Sequence, residues 1–175
     1  MEKEEVKLEK GDFFCSKNPM ALGKIINAVQ WFWSTDNESR YTHAGIIVAE
    51  DGTTLESLWT VKNQNLWEAY AGERVIIGRY EKMTPEIFEK GMQAIAEHKG
   101  KIYPVLRLLL FGIPPVAKFL YIGLVVCSEL TAKFLCSMGA LNYWKGKMPD
   151  NIHDAMKYRR GFKVVAELEI PKKEV

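Results

Sequence analysis

The sequence predicts an α+β domain whose antiparallel sheet packs against helices. Three observations carry this. First, 47% of the 175 residues are apolar, enough for one sizeable core and most simply one domain. Second, apolar segments at 41–50, 53–59 and 74–80 follow one another at the spacing of hairpin strands. Third, helix-period segments with start and stop signals lie outside that run rather than alternating strictly with it. The domain spans 1–175, with 1–10 a charged leader and 171–175 a solvated tail.

Taken along the chain, Gly11-Asp12 leads into the apolar pair Phe13-Phe14. Leu22, Ile25, Ile26, Val29, Phe32 and Trp33 keep the i, i+3, i+4 spacing of an amphipathic helix over 20–33. The polar loop "STDNES" separates it from the strand "YTHAGIIVAE". Asp51-Gly52 is a tight turn into "TTLESLW", and the two strands form a hairpin. "RVIIGRY" at 74–80 is a third strand. Thr84-Pro85-Glu86 combines a capping residue, a proline at the first helical position and an acid in the first turn. The helix it opens runs to Lys99 and stops at Gly100. Leu130, Phe134, Leu135 and Met138 share one face of a helix that begins at Cys127 and ends at Gly139. "FKVVAELEI" at 162–170 is a closing strand.

Composition excludes several function classes. Net charge is +2 with the basic residues distributed along the chain, so nothing argues for nucleic acid as a partner. Three cysteines, Cys15, Cys127 and Cys136, form neither a disulfide framework nor a metal-binding pattern. No metal and no cofactor is implied. The leader "MEKEEVKLEK" has no apolar run of the secretory kind, which points to a reducing cytoplasm. Residues 102–126 are long and apolar enough to raise a membrane span, but Pro104, Pro114 and Pro115 interrupt them, and Arg107 and Lys118 lie inside. A short helix, a turn and a buried segment, or a loop touching a membrane surface, are the simpler readings.

The apolar run "GLVV" stops at Cys127, and a helix starts there. Unpaired N–H groups and the macrodipole at a helix N-terminus favour a thiolate. A nucleophile also needs a base. Of the three histidines, His43 begins an apolar strand beside Ala44 and Gly45, whose small side chains leave room for a ring. His98 falls in the last turn of the 84–99 helix, where the dipole favours an imidazolium. His153 falls on a loop or helix start near the surface. Glu56, on the strand paired with that of His43, is the candidate to orient the imidazole. Cys15 and Cys136 read as structural thiols, and Glu129 as an acid suited to a first helical turn. Trp31, Trp33, Trp59, Trp67 and Tyr41 read as core or rim, with Tyr41 and Trp59 close enough in sequence to the histidine and the acid to line a cleft.

"GDFF" at 11–14, "YTHAGIIV" at 41–48, "TLES" at 54–57 and "VVCSEL" at 125–130, in that order, resemble the circularly permuted branch of the NlpC/P60 papain-like superfamily. "MPDNIHDAM" resembles the proline-acid segment after the cysteine helix, so the resemblance runs from Gly11 to about Ala155. Gly100 and Tyr103 resemble its glycine–aromatic motif, although Pro104 stands where many members have a polar residue. The resemblance implies a papain-like fold in permuted order, with Cys127 as nucleophile, His43 as base, Glu56 as the orienting acid, and Tyr41, Trp59 and Tyr103 around the substrate. It implies a cysteine hydrolase or acyltransferase cleaving an amide or ester through an acyl-enzyme. The expected substrate is a peptide-like or lipid acyl compound, with contact at a membrane through 102–126. A peptidase or amidase on peptide or peptidoglycan-like material, and a non-catalytic binding module, are the alternatives.

Overall fold

The computed structural model describes residues 6–17, 41–58, 60–101 and 126–172. Six strands form one sheet: β1 (Phe13–Ser16), β2 (His43–Ile47), β3 (Thr53–Ser57), β4 (Val61–Asn65), β5 (Arg74–Tyr80) and β6 (Phe162–Glu169). Their spatial order is β4-β3-β2-β1-β5-β6, and every neighbouring pair is antiparallel. Four helices complete the described residues: α1 (Leu66–Ala69), α2 (Pro85–Ala96), α3 (Cys127–Ser137) and α4 (Pro149–Tyr158).

The sequence of β1 explains its central place. All four residues are buried, and alternate side chains serve opposite faces of the sheet. Phe13 and Cys15 join Ala44, Ile46, Leu55 and Ile76 in the core beneath α2, α3 and α4. Phe14 joins Ile47, Leu66, Tyr70, Val75 and Ile77 on the reverse face. Such two-sided burial is why "FFCS" carries no polar alternation. The helical layer is closely packed: a Cβ on Gly91 of α2 would stand 2.5 Å from a ring carbon of Phe134 of α3, so only glycine lets these helices meet there.

The expected α+β class with an antiparallel sheet against helices is what the structure shows. The helix from Thr84 is present, its hydroxyl accepting the Ile87 N–H at 3.3 Å. Four elements went unread in whole or in part. β1 was expected only as the apolar pair Phe13-Phe14, not as a strand. β4, "VKNQN", has no apolar alternation because it pairs with β3 at the sheet edge through its backbone. α1 is a single turn capped by Asn65, whose carbonyl oxygen accepts the N–H groups of Trp67 and Glu68. α4 extends what was expected as a loop or helix start. Two histidine placements are corrected. His153 is buried on α4 against the ring of Tyr41 (centroids 5.0 Å apart), not near the surface. His98 lies just beyond α2, buried, and its pKa is lowered by burial and then by Lys133, so the expected imidazolium does not hold. The helix expected over 20–33, Trp59, Tyr103 and the apolar stretch from 102 to 125 lie outside the described residues. Among the described residues no helix is long and apolar enough to cross a membrane.

Candidate functional site

The site begins with strand register. Ile46 pairs with Leu55 and Ile47 with Thr54, which sets Glu56 opposite Gly45 and on the same face as His43, one pleat along. Gly45 is needed at that point. A Cβ there would stand 2.6 Å from Phe14 Cε1 and 2.8 Å from Glu56 Cγ. The missing side chain lets the carboxylate cross β2 and reach the imidazole: His43 Nε2 and Glu56 Oε2 are 2.7 Å apart, with both side chains buried.

A carboxylate buried this deeply requires hydrogen-bond donors. Glu56 has two hydroxyl donors besides the ring. Thr54 Oγ1 donates to Oε1, and Tyr70 donates to Oε2 at 2.5 Å. Burial pushes the Glu56 carboxyl up, but the hydrogen bond and charge of His43, with the two hydroxyls, overcome it and hold the group below the usual carboxylate range. Burial and the neighbouring carboxylate push the Tyr70 phenol far up, so it stays a donor. Its ring also stacks on His43 (centroids 6.0 Å apart, planes at 23°) and meets Phe14 edge-on at 5.2 Å.

Cys127 opens α3, which packs against the other face of the sheet. The thiol meets the imidazole where β3 has parted from the start of β2. Ile47 donates its N–H to Asp12 on the β1 side, so alternation aims the Ala44 N–H toward the β3 side. There it donates to the Cys127 sulfur, together with the Ser128 N–H and the His43 ring. Burial pushes the thiol up. The charge and hydrogen bond of His43 and the two amides outweigh that and hold it below the ordinary thiol range. For His43, burial favours the neutral ring, but Cys127 and Glu56 raise the imidazole from 6.5 to about 10. Since Nε2 faces Glu56, Nδ1 is the nitrogen left for the thiol. The arrangement is a buried, hydrogen-bonded line of thiol, imidazole and carboxylate.

The other two cysteines differ in kind. Burial and the nearby Asp150 push Cys15 well up, and burial raises Cys136. Cys15 sits on β1 with its sulfur 3.7 Å from the Pro149 carbonyl, as suits a structural thiol.

Glu129 does more than complement a helix dipole. It is fully buried, and it accepts the Gly146 N–H at 2.7 Å and the Val126 N–H at 3.4 Å. Ser128 donates to the Lys147 carbonyl at 2.6 Å. The two residues after the cysteine thus tie the 144–148 loop to the start of α3. Tyr41, expected at the cleft, donates to Glu167 at 3.2 Å and lies against the His153 ring with the planes tilted at 47°. Trp59 and Tyr103 lie outside the described residues. Sequence reasoning missed Tyr70 and Thr54. Thr54 was detectable as a hydroxyl two residues before Glu56 on the same face of a strand; nothing around Tyr70 marked it. Among the described residues, no group of three or more His, Cys, Asp or Glu side chains is set to hold a metal ion.

No protein-family model and no curated protein matches the chain. Among solved structures it is similar to the metalloprotein YiiX from Escherichia coli O157:H7, a DUF1105 protein. The identity is 16%, the match covers 94% of this chain and 90% of that one, and the TM-score is 0.56. At that identity the likeness concerns the fold alone.

Proposed function

We propose that this chain is a cysteine-dependent hydrolase or acyltransferase with a papain-like fold in permuted order. The observation that carries the proposal is the hydrogen-bonded line from Cys127 through His43 to Glu56, in which the thiol is held low and the imidazole high. A merely structural buried cysteine has no such partners, and Cys15 shows what one looks like. The chain order of histidine, acid and cysteine supports the permuted NlpC/P60 reading.

In the proposed reaction the Cys127 thiolate attacks the carbonyl carbon of an amide or ester. The Cys127 N–H at the start of α3, which has no acceptor within the helix, would face the developing oxyanion. The imidazolium of His43 gives its proton to the leaving nitrogen or oxygen as its bond to the acyl carbon breaks. The thioester remains on Cys127. His43, now neutral, takes a proton from water or another acceptor. That acceptor attacks the thioester, the C–S bond breaks, and the thiolate re-forms beside the imidazolium. Glu56 orients the ring throughout and stabilises it whenever it is charged. The substrate class is a peptide-like or lipid acyl compound.

The test is covalent. Brief iodoacetamide treatment near neutral pH, followed by peptide mapping, should label Cys127 well before Cys15 and Cys136. Incubation with mixed lipid and peptide libraries should then leave an acyl group on Cys127, read by mass spectrometry. Equal labelling of the three thiols, or no acyl adduct from either library, argues against the enzyme and for a binding module.

A further inference from the structure

We propose that Tyr70 is a fourth member of the Cys127–His43–Glu56 line, a positioning residue whose phenol keeps Glu56 ionised and turned toward His43. The proposal rests on the reading of these three residues as catalytic and assigns the part of the site that makes the charged form of Glu56 durable.

The geometry is specific. Glu56 Oε2 receives the His43 ring nitrogen at 2.7 Å and the Tyr70 hydroxyl at 2.5 Å, while Thr54 occupies Oε1. A carboxyl group brought into this setting meets three donors. An ionised one satisfies all of them; a protonated one must turn its own O–H toward a donor and leave a buried group unpaired. The phenol therefore favours the anion by the same hydrogen bond that fixes its orientation. Tyr70 suits this task because it enters from the reverse face of the sheet. Its hydroxyl reaches the carboxylate while its ring lies along the imidazole, with Phe14 and Leu66 in the same apolar cluster. Its hydroxyl is bonded to Glu56 rather than to the Cys127 sulfur, so it acts through Glu56. The anchoring is local: α1 and the turn after it carry Tyr70, and the Tyr70 N–H closes on the Leu66 carbonyl at 3.2 Å. The segment 66–70 thus places the residue that secures the acid while contributing nothing to the reacting bonds.

The decisive variant is Tyr70→Phe, which keeps the ring and deletes the donor. Two readouts are taken on the full chain. Glu56 is followed by carboxyl carbon NMR through a pH titration, its resonance assigned with Glu56→Gln. Cys127 is followed by its iodoacetamide alkylation rate against pH. Loss of one hydrogen bond to a buried anion should raise the pKa of Glu56 by about one unit, a tenfold shift in its ionisation equilibrium. The acid limb of the alkylation profile should move up with it, while the alkaline limb, set by His43, moves far less. Phe14→Leu trims the packing around the same ring and keeps the phenol; it should leave both profiles in place. A purely structural role for Tyr70 predicts that both variants lose thermal stability and that neither shifts the Glu56 titration, and that result overturns the proposal. Should Tyr70→Phe not fold, the wild-type protein decides. Its Tyr70 hydroxyl proton should give a downfield resonance that disappears when Glu56 is titrated or replaced by Gln, and absence of any such resonance counts against the phenol–carboxylate bond. The two readings fail separately: wild-type alkylation without preference for Cys127 overturns the enzyme, whereas a normal Cys127 profile with an unmoved Glu56 titration overturns the role of Tyr70 alone.

Discussion

Replacing Glu56 with glutamine tests the proposal that this site makes a thiolate. The side chain is fully buried, so a conservative change cannot be compensated by water. Glutamine keeps the shape but offers one acceptor oxygen where Glu56 offers two to three donors, His43, Thr54 and Tyr70. It also removes the counter-charge of the imidazolium. A hydrogen bond to a charged partner contributes about 1.5–3 kcal/mol and one between neutral groups about 0.5–1.5 kcal/mol, so His43 loses roughly 1–2 kcal/mol of support for its proton. That is about one pKa unit. His43 is held at about 10 by Cys127 and by Glu56 against burial, so it should fall but stay above its ordinary 6.5. The thiolate loses the same support through the ring. On the acid limb of the profile, where the rate follows the ionised fraction of the thiol, the alkylation rate of Cys127 should drop roughly 5- to 30-fold, the same energy at 1.4 kcal/mol per factor of ten. Stopped-flow alkylation with peptide mapping measures it, with thermal unfolding to show that the variant is folded. His43→Gln should cost more, because it removes the charge and the hydrogen bond on the sulfur together. A folded Glu56→Gln protein with the wild-type rate and pH profile would show that the acid does not reach the thiol through the imidazole.

Gly45→Ala should destabilise by about 1–3 kcal/mol and slow Cys127 alkylation, because the new Cβ overlaps Phe14 and Glu56; an unchanged thermal midpoint with normal reactivity counts against the close approach. Glu129→Gln leaves either the Gly146 or the Val126 N–H facing an amide NH₂ and should cost about 1–3 kcal/mol, with faster amide exchange across 144–147 by mass spectrometry; protection equal to wild type argues against the tie. His98 should make stability fall in acid. Its Nε2 faces Lys133 Nζ at 2.8 Å and Glu97 at 3.3 Å, with Lys101 near, and its pKa is lowered by burial and Lys133. The neutral ring therefore belongs to the fold. Its contribution is present above the unfolded value of about 6.5 and is lost as pH falls below that toward the folded value. Thermal unfolding from pH 7.5 to 5 should show wild type losing more than His98→Gln, and parallel curves would exclude this.

What was legible in the sequence and what was not divide along physical lines. Cys127 could be read because a helix N-terminus after an apolar run is a local pattern, and His43 because a ring beside Ala44 and Gly45 is a local oddity. Glu56 could be paired with His43 because Asp51-Gly52 makes their strands a hairpin, and register does the rest. Tyr70 was out of reach. Its place depends on β4, a strand held at the sheet edge by backbone pairing that leaves no apolar alternation, and on a one-turn helix after it. His153 was misplaced for a related reason: "PDNIHDAM" is polar enough to read as surface, yet Ile152, His153, Ala155 and Met156 form the buried stripe of α4. The error on His98 was electrostatic. The helix dipole was weighed, but Lys133 arrives from α3, thirty-five residues away in sequence, and burial and that cation together outweigh the dipole.

The same distinction explains how the site is assembled. His43 and Glu56 lie on the reverse face of the sheet, and α3 lies on the other. A thiol can reach the imidazole only where the sheet itself opens, at the start of β2, beyond the Ile46–Leu55 and Ile47–Thr54 pairs with β3. The opening frees the Ala44 amide, which in a continuous ladder would bond a β3 carbonyl and here donates to the sulfur. Parting β2 from β3 therefore lets Cys127 through, supplies one of its hydrogen bonds and leaves Glu56 on the strand that turns away. The line of three groups is then sensitive to the Leu55–Thr54 register in a way no single side chain reveals. A one-residue slip of β3 would send Glu56 to the helical face and put Leu55 against His43. Thr54 and Tyr70, by holding Glu56 through both oxygens, oppose that slip as well as the protonation of the acid.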